Sequence, residues 1–197
     1  DDSPTRTAGF HLETVPGIFK RIAKRAGTSR GHRDEENLTR VAGRKVYKMS
    51  IGAANNPDDD HLFEEALEGG YALLGYDDID WTDERFNDSE AIHETVKNHH
   101  SEERDLDGYA GALQMPARFR NDMKIGDIIV VSNGNHSFRA IGQVIGNYEF
   151  QPREGGTYTH RRKVEWFWSD REGVPVQEIY NKQFSMKSIY RLNDQQL

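Results

Sequence analysis

The spacing of apolar residues along the chain predicts a sheet of five or six strands. Residues 45–50 alternate between polar and apolar side chains, which is typical of a strand with one buried face. Residues 71–76 form a nearly continuous apolar run, which indicates a buried strand. Further apolar runs predict strands over 128–132, 138–146, 160–168 and 188–192, and residues 174–180 predict a short additional strand.

Between the early strands, apolar residues recur at the spacing that is typical of helices. Aspartates at 58–60 can cap a helix that Gly69-Gly70 would end. Its apolar positions are Leu62, Phe63, Ala66 and Leu67. Helical spacing recurs around Ile92 and Val96, and residues 113–123 predict another helix. Helices early and strands mostly late predict an α+β domain with a mixed, curved or barrel-like sheet.

Residues 1–43 differ from the rest of the chain because they are rich in Gly, Ser, Thr and Arg. Within them, Ile18, Phe19 and Ile22 fall on one helical face and basic residues fall largely on the other. We expect residues 1–43 to form a basic arm or linker, and residues 44–197 to form the folded domain.

The net charge of −7 is unevenly distributed. Residues 1–48 carry eleven Lys and Arg against six Asp and Glu, and residues 109–197 carry twelve against nine. Residues 57–108 carry only three against eighteen. Because a nucleic acid responds to local potential, the two basic parts can form one binding surface once folded, with the acidic part either facing away or blocking wrong approaches.

Composition restricts the class of protein further. No apolar run approaches the length of about 18 residues that a membrane helix requires. The chain has no cysteine, which excludes disulfides and thiolate metal sites and favours a cytoplasmic location. Its polar first residues do not resemble a signal peptide, and since it lacks an initiating Met we expect it to be a fragment or a processed chain.

Three segments, taken in order, resemble a known family. The first is residues 45–56, followed by a helix, Gly-Gly and the apolar run 71–76. The second is Lys-Ile-Gly-Asp at 124–127 with the strand and Ser-Asn-Gly turn after it, and the third is Arg-Arg-Lys-Val-Glu-Trp at 161–166. Together they resemble the EVE-like domains fused to McrB-type restriction ATPases, and more distantly the YTH domains that read N6-methyladenine. Both belong to the PUA-like superfamily.

This resemblance implies a PUA-like barrel whose cleft receives a flipped-out base. Stacking a base on an aromatic side chain is worth about 1–3 kcal/mol, and extruding the base from a duplex costs a few kcal/mol. A buried methyl group adds about 1 kcal/mol, so an aromatic pocket that covers the methyl can discriminate without catalysis.

The resemblance also implies where the pocket residues lie. Tyr158 falls where the YTH pattern has a cage tryptophan, and the second cage position falls at Ala72 or Leu73, which are not aromatic. That difference indicates another base, or a cage completed from elsewhere, for which Trp81 is the obvious candidate. The expected pocket comprises Ser50, Ile51, Asn55, Asn56, Leu73, Trp81 and Tyr158. The expected nucleic-acid backbone contacts are Lys48, Arg139, Arg153, His160 and Arg161.

No motif in the chain indicates catalysis, a metal or a cofactor. His93, Glu94, His99 and His100 lack the spacing of a zinc-binding helix, so we interpret them as solvated helix surface. A phosphate-binding loop of the Walker type is also missing.

We therefore expect a non-catalytic, DNA-binding specificity domain of a modification-dependent, McrB-like restriction system that recognises a methylated cytosine or adenine. The expected partners are DNA with a modified base, an AAA+ NTPase and a nuclease subunit. Two alternatives stay open. One is a reader of modified RNA, and the other is a protein-assembly module that acts through the acidic residues 77–108.

Overall fold

The computed structural model describes residues 44–53, 56–100, 110–180 and 182–192. The arm predicted over residues 1–43 and the pocket residue Asn55 lie outside the described residues.

Six strands of the described chain form one curled, mixed sheet, which confirms the predicted α+β class and the predicted curved, barrel-like sheet. The strands are β1 (Val46–Ser50), β2 (Tyr71–Leu74), β3 (Ile128–Asn133), β4 (Ser137–Phe150), β5 (His160–Pro175) and β6 (Ile189–Arg191). Their order across the sheet is β2-β5-β4-β3-β1-β6. Strands β1 and β3 are parallel, with Ser50 opposite Ser132, and the other neighbours are antiparallel.

The helices lie in the intervals where helical spacing predicted them. They are α1 (Asp60–Gly69), α2 (Ser89–His100) and α3 (Ala110–Ala117), and α3 continues into a π turn, Arg118–Asp122. Gly70 ends α1 in the left-handed conformation, with φ 67°, and its N–H bonds to the carbonyl of Ala66. Short 3₁₀ turns occupy Pro57–Asp59, Glu84–Asn87 and Val176–Glu178.

The two longest strands differ most from the prediction. β4 and β5 extend well beyond 138–146 and 160–168, because register shifts between Phe138 and Ala140, Ile141 and Gly142, and Val144 and Tyr148 bend the pair while pairing continues. Those bulges curl the sheet. The separate strand predicted over 174–180 does not form: β5 ends at Pro175, which has no N–H for a further ladder bond.

The two faces of the sheet are covered differently. The inner face of the curl packs against α1, where Leu62, Phe63 and Ala66 are buried. The opposite face is covered by the segment after β5, whose buried apolar residues are Val176, Ile179, Tyr180 and Phe184. A third cluster joins Trp81 and Phe86 to α2 and α3.

Candidate nucleic-acid interface

Polar groups of the turn between β1 and α1 hydrogen-bond to one another within its described parts, residues 51–53 and 56–59. Gly52 has φ 76°, and a Cβ there would lie 2.9 Å from the Cβ of Asp59. The Asp59 carboxylate accepts a 2.7 Å hydrogen bond from the N–H of Ala53. Asn56 caps the following 3₁₀ turn, since its Oδ1 accepts from the N–H of Asp58. The side chain of Asn56 therefore stabilises the turn.

Arg139 braces the same turn from β4. Its Nη2 donates a 2.9 Å hydrogen bond to the carbonyl of Ile51, and its guanidinium carbon lies 3.9 Å from the ring centre of Phe63. Asp60 lies 3.6 Å from its Nη1. Burial lowers the pKa of Arg139, and the charge of Asp60 only partly opposes this effect. With Arg139 only 7% exposed and Ile51 only 1%, both act inside the protein rather than on a phosphate or a base.

Tyr158 is half-buried on one side of this turn, with its ring against the end of β2. Its ring packs against Gly75, at the end of β2, where a Cβ would meet ring carbons at 2.6 Å. Burial raises the pKa of Tyr158, and the charge of Asp59 raises it further, while a hydrogen bond from the backbone of Gly52 lowers it. Tyr158 therefore links β2 to the β1–α1 turn, and its ring covers Gly75.

An open cleft of about 660 Å³ lies at the carboxyl ends of the parallel strands β1 and β3 and shares Gly52 with the turn. It is lined by Lys48, Ser50, Gly52, Ala53, Asn133, Gly134, Asn135, His136, Ser137, Met186 and Ser188. None of these described lining residues is a carboxylate. The cleft therefore offers hydrogen-bonding groups and one cation, which suits a ligand rich in acceptors.

Lys48 lines this cleft although its side chain is almost wholly buried, with 1% exposure. Its Nζ donates to the Oγ of Ser50 at 2.8 Å and to the carbonyl of Lys187 at 2.7 Å. The hydroxyl of Ser132 lies 3.1 Å from that of Ser50 and donates to the carbonyl of Met49. Burial lowers the pKa of Lys48 to about 8.

Two residues predicted in the pocket belong to the core instead. Leu73 and Trp81 both have 0% exposure. Leu73 faces the inside of the curl, and the Trp81 ring packs edge-on to Phe86 at 4.8 Å between centroids. An apolar side chain completely covered by its neighbours lines no open pocket, so neither residue contacts a base in this conformation.

Arg153 and Arg161 lie together but are paired within the protein. Both bind Glu65 on α1, Arg153 at 2.7 Å and Arg161 at 3.2 Å. The Arg161 guanidinium also lies 4.5 Å from the ring centre of Tyr71, whose hydroxyl donates to Glu65. These contacts attach α1 to β2 and β5, so phosphate binding by either arginine has to compete with Glu65.

His160 is another predicted backbone contact that the structure places inside. With 1% exposure, its Nε2 lies 2.9 Å from the carbonyl oxygen of Asp77, and its Nδ1 lies 2.8 Å from the hydroxyl of Tyr148. It therefore anchors the start of the acidic segment to the barrel and is not available to a phosphate.

Of the described residues that line the cleft, only Lys48 and Ser50 were predicted as site residues, and the β3–β4 turn, 133–137, is the largest part that the sequence did not predict. The pattern Asn-Gly-Asn-His indicates a tight turn, and the turn forms at 134–136. The polar residues that follow the apolar runs of β1 and β3 were a usable signal for the position of this cleft. The reason is that the carboxyl ends of parallel strands meet at one edge of a sheet. The parallel pairing that brings them together cannot be read from spacing alone.

Among the described residues, no group of three or more His, Asp or Glu side chains is placed to hold a metal ion. Within the described ranges, no helix combines the length and apolarity needed to cross a bilayer.

The fold and the cleft together define a small α+β protein with a curled mixed sheet and a polar cleft at its parallel strand ends. The chain belongs to the family described as Domain of unknown function (DUF8426), whose model matches residues 47–193. Among curated proteins, none matches the chain.

Proposed function

We propose that this protein is a non-catalytic nucleic-acid-binding module that takes a single modified base into the cleft beside Lys48 and Ser50. In this proposal it supplies the DNA specificity of a modification-dependent restriction system, with an AAA+ NTPase and a nuclease subunit as partners. The resemblance of its strand and turn segments to EVE-like domains supports that setting.

The observation that carries the proposal is the composition of the cleft. A volume of about 660 Å³ is ample for one base, and its lining includes serine, asparagine and histidine side chains together with two glycines. Such groups donate and accept hydrogen bonds at the edge of a planar ligand. The described lining carries no negative charge that would repel the phosphates beside the base.

In this proposal the base binds in the cleft beside Ser50 and not next to Tyr158, where the sequence predicted it. The ring of Tyr158 is packed on Gly75, whereas the cleft is open. Gly52 connects the cleft with Tyr158, because it lines the cleft and its backbone hydrogen-bonds to Tyr158. Tyr158 therefore supports the rim of the cleft through the conformation of Gly52, and does not itself stack on the base.

Binding of oligonucleotides tests the proposal directly. The chain is titrated with labelled DNA and RNA that carry methylcytosine, hydroxymethylcytosine, methyladenine or no modification. We expect one modified DNA to bind at least tenfold more tightly than its unmodified counterpart, and the affinity to fall as salt is raised because counterions are released.

A matched pair of variants locates the binding site. Ser188→Phe fills the cleft, whereas Ser169→Phe adds the same ring to an exposed serine of β5 outside it. We expect Ser188→Phe to abolish the preference for the modified base and Ser169→Phe to retain it. Equal preference in the two variants would contradict the proposed site. Tighter binding of modified RNA than DNA would support the RNA-reader alternative, and failure to bind any oligonucleotide would contradict the function.

A further inference from the structure

A second cavity, of about 290 Å³, lies at the other end of β3 from the cleft beside Ser50. Lys124, which lines this cavity, comes just before β3, whereas the cleft is lined by residues that follow β3. Three basic side chains, those of Arg120, Lys124 and Arg162, line the cavity together with polar groups. None of its described lining residues is a carboxylate. This concentration of positive charge favours an anionic ligand.

Arg162 is a buried cation, only 4% exposed, whose described hydrogen-bond acceptors are neutral. It donates to three backbone carbonyls: from Nε to Phe119 at 2.6 Å, from Nη1 to Gly146 at 3.1 Å and from Nη2 to Arg120 at 2.7 Å. A guanidinium group has five N–H donors, so these bonds leave one hydrogen on Nη1 and one on Nη2. Because Arg162 lines the cavity, an anion that enters the cavity can accept from both.

Arg120 is fixed beside the same cavity by neutral oxygens. Its guanidinium donates to three backbone carbonyls and two side-chain amide oxygens, those of Trp81, Asp83, Phe86, Asn87 and Asn121. These bonds hold the guanidinium in one orientation, so a ligand does not have to order it on binding. Lys124 is exposed, and its ammonium adds a mobile cation to the two fixed ones.

The two arginines repel each other electrostatically. Burial lowers the pKa of Arg162 to about 10, and the charge of Arg120 lowers it further, while the charge of Asp127 opposes these effects. The Asp127 carboxylate accepts a 2.9 Å hydrogen bond from the N–H of Lys124. Burial also lowers the pKa of Arg120, and the charge of Asp83 only partly opposes this effect. An anion that contacts both guanidinium groups would offset their repulsion and the cost of burying them.

We propose that this second cavity binds a phosphate group through the guanidinium groups of Arg120 and Arg162 and the ammonium of Lys124. The oxygens of a phosphate only accept hydrogen bonds, and paired guanidinium N–H groups match their geometry. The six residues of β3 separate the cavity from the cleft by roughly 17–20 Å, so the two sites are distinct. The phosphate belongs either to a nucleic-acid backbone or to a small phosphorylated molecule. The inference goes beyond the proposed function and does not depend on it.

Two charge-reversal variants of the intact chain separate the site from general charge. Lys124→Glu places a carboxylate at the cavity, whereas Lys97→Glu makes the same change at an exposed lysine of α2 that does not line it. Both lysines are exposed, so neither change removes a buried arginine, and thermal unfolding checks that each variant is folded. Each protein is titrated with inorganic phosphate at constant ionic strength, and binding is followed by the NMR signals of the arginine Nε–H groups.

We expect phosphate to bind the parent saturably and to shift the signals of Arg120 and Arg162. Lys124→Glu should weaken this binding by about tenfold or more, and Lys97→Glu by less than about twofold, because the charge interaction falls with distance. The site would be overturned if the folded parent showed no saturable binding, or if the two variants weakened it equally. Saturation that shifts other arginines and leaves Arg120 and Arg162 unchanged would also overturn it.

An unmodified oligonucleotide then identifies the source of the phosphate. If the oligonucleotide displaces inorganic phosphate from the parent, the site holds a backbone phosphate of the nucleic acid. If phosphate stays bound in its presence, the site takes a small phosphorylated molecule. Both results support the site. Loss of the proposed function, seen as equal binding of modified and unmodified oligonucleotides, leaves the phosphate titration unchanged, so the two failures are distinguishable.

Discussion

The ring of Tyr158 lies so close to the backbone of Gly75 that a Cβ at position 75 would come within 2.6 Å of its carbon atoms. Tyr158 has φ 57°, the left-handed conformation that costs a non-glycine residue about 1–3 kcal/mol. The surrounding contacts must offset this strain. The hydrogen bond to Gly52 and the packing on Gly75 are therefore the contacts that hold Tyr158 in place beside the β1–α1 turn.

Gly75→Ala is expected to displace the Tyr158 ring. The added methyl overlaps the ring, so the free energy of unfolding should fall by about 1–3 kcal/mol, as is usual for overpacking. In a Tyr158→Ala background, the same methyl has no ring to meet, and its effect should be much smaller. Chemical denaturation of the four proteins of this double-mutant cycle gives the coupling. Additive effects would contradict the contact.

Trp81 is expected to stabilise the fold without contacting the ligand. Because its side chain is completely buried, Trp81→Ala should lower the free energy of unfolding by about 3–5 kcal/mol. Trp81→Phe keeps an aromatic ring and should remain folded at room temperature. Its oligonucleotide preference, measured by titration, should equal that of the parent. Loss of the preference in folded Trp81→Phe would restore Trp81 as a pocket residue.

Lys48 is expected to make stability depend on pH in the alkaline range. Burial lowers its folded pKa from 10.5 to about 8, so between these values the unfolded state binds more protons than the folded state. The free energy of unfolding should therefore rise with pH from pH 8, by on the order of 2 kcal/mol up to pH 10. Above pH 10 the trend reverses, since burial raises the pKa of Tyr47 to about 12.

Lys48→Met provides the control for that titration. The difference in unfolding free energy between Lys48→Met and the parent should change between pH 8 and pH 10, because only the parent carries the lysine. The tyrosine contribution is common to both proteins and cancels. Denaturation at closely spaced pH values measures the difference, and parallel curves for the two proteins would show that Lys48 titrates normally.

Glu65 is expected to limit phosphate binding by Arg153 and Arg161. Burial by itself raises the pKa of Glu65, but hydrogen bonds from Tyr71 and Arg153 and the charges of both arginines hold that pKa below its ordinary value. Its stabilising contribution is present above its ordinary pKa and is lost as pH falls through the lower folded value. Glu65→Gln should release the two guanidinium groups from this carboxylate.

The salt dependence of DNA binding measures whether Arg153 and Arg161 are released from Glu65. For unmodified DNA, Glu65→Gln should steepen the dependence of log affinity on log salt by up to about two, roughly one per arginine that gains a phosphate. Glu64→Gln removes the same charge from the same helix, but its partner Arg171 is already exposed, so little change is expected. An unchanged slope in Glu65→Gln would mean that these arginines do not reach DNA.

Much of the fold followed from local patterns. Alternation and apolar runs placed the strands near 45–50, 71–76 and 128–132, because each strand buries side chains at a period that is visible in sequence. Gly70 ended α1 as expected from its freedom to adopt positive φ. The extra length of β4 and β5 was not visible, because bulges and cross-strand pairing extended these strands through polar residues.

For this protein, the sequence by itself determined the α+β class, the position of most elements and the tight turn at 134–136. Only the tertiary structure decided which polar residues remain open to a ligand. Burial depends on contacts between segments far apart in the chain: Trp81 is covered by Phe86 and its neighbours, Tyr158 is drawn onto Gly75, and the parallel pairing of β1 with β3 brings Lys48 to the cleft. Local spacing carries no information about those distant partners.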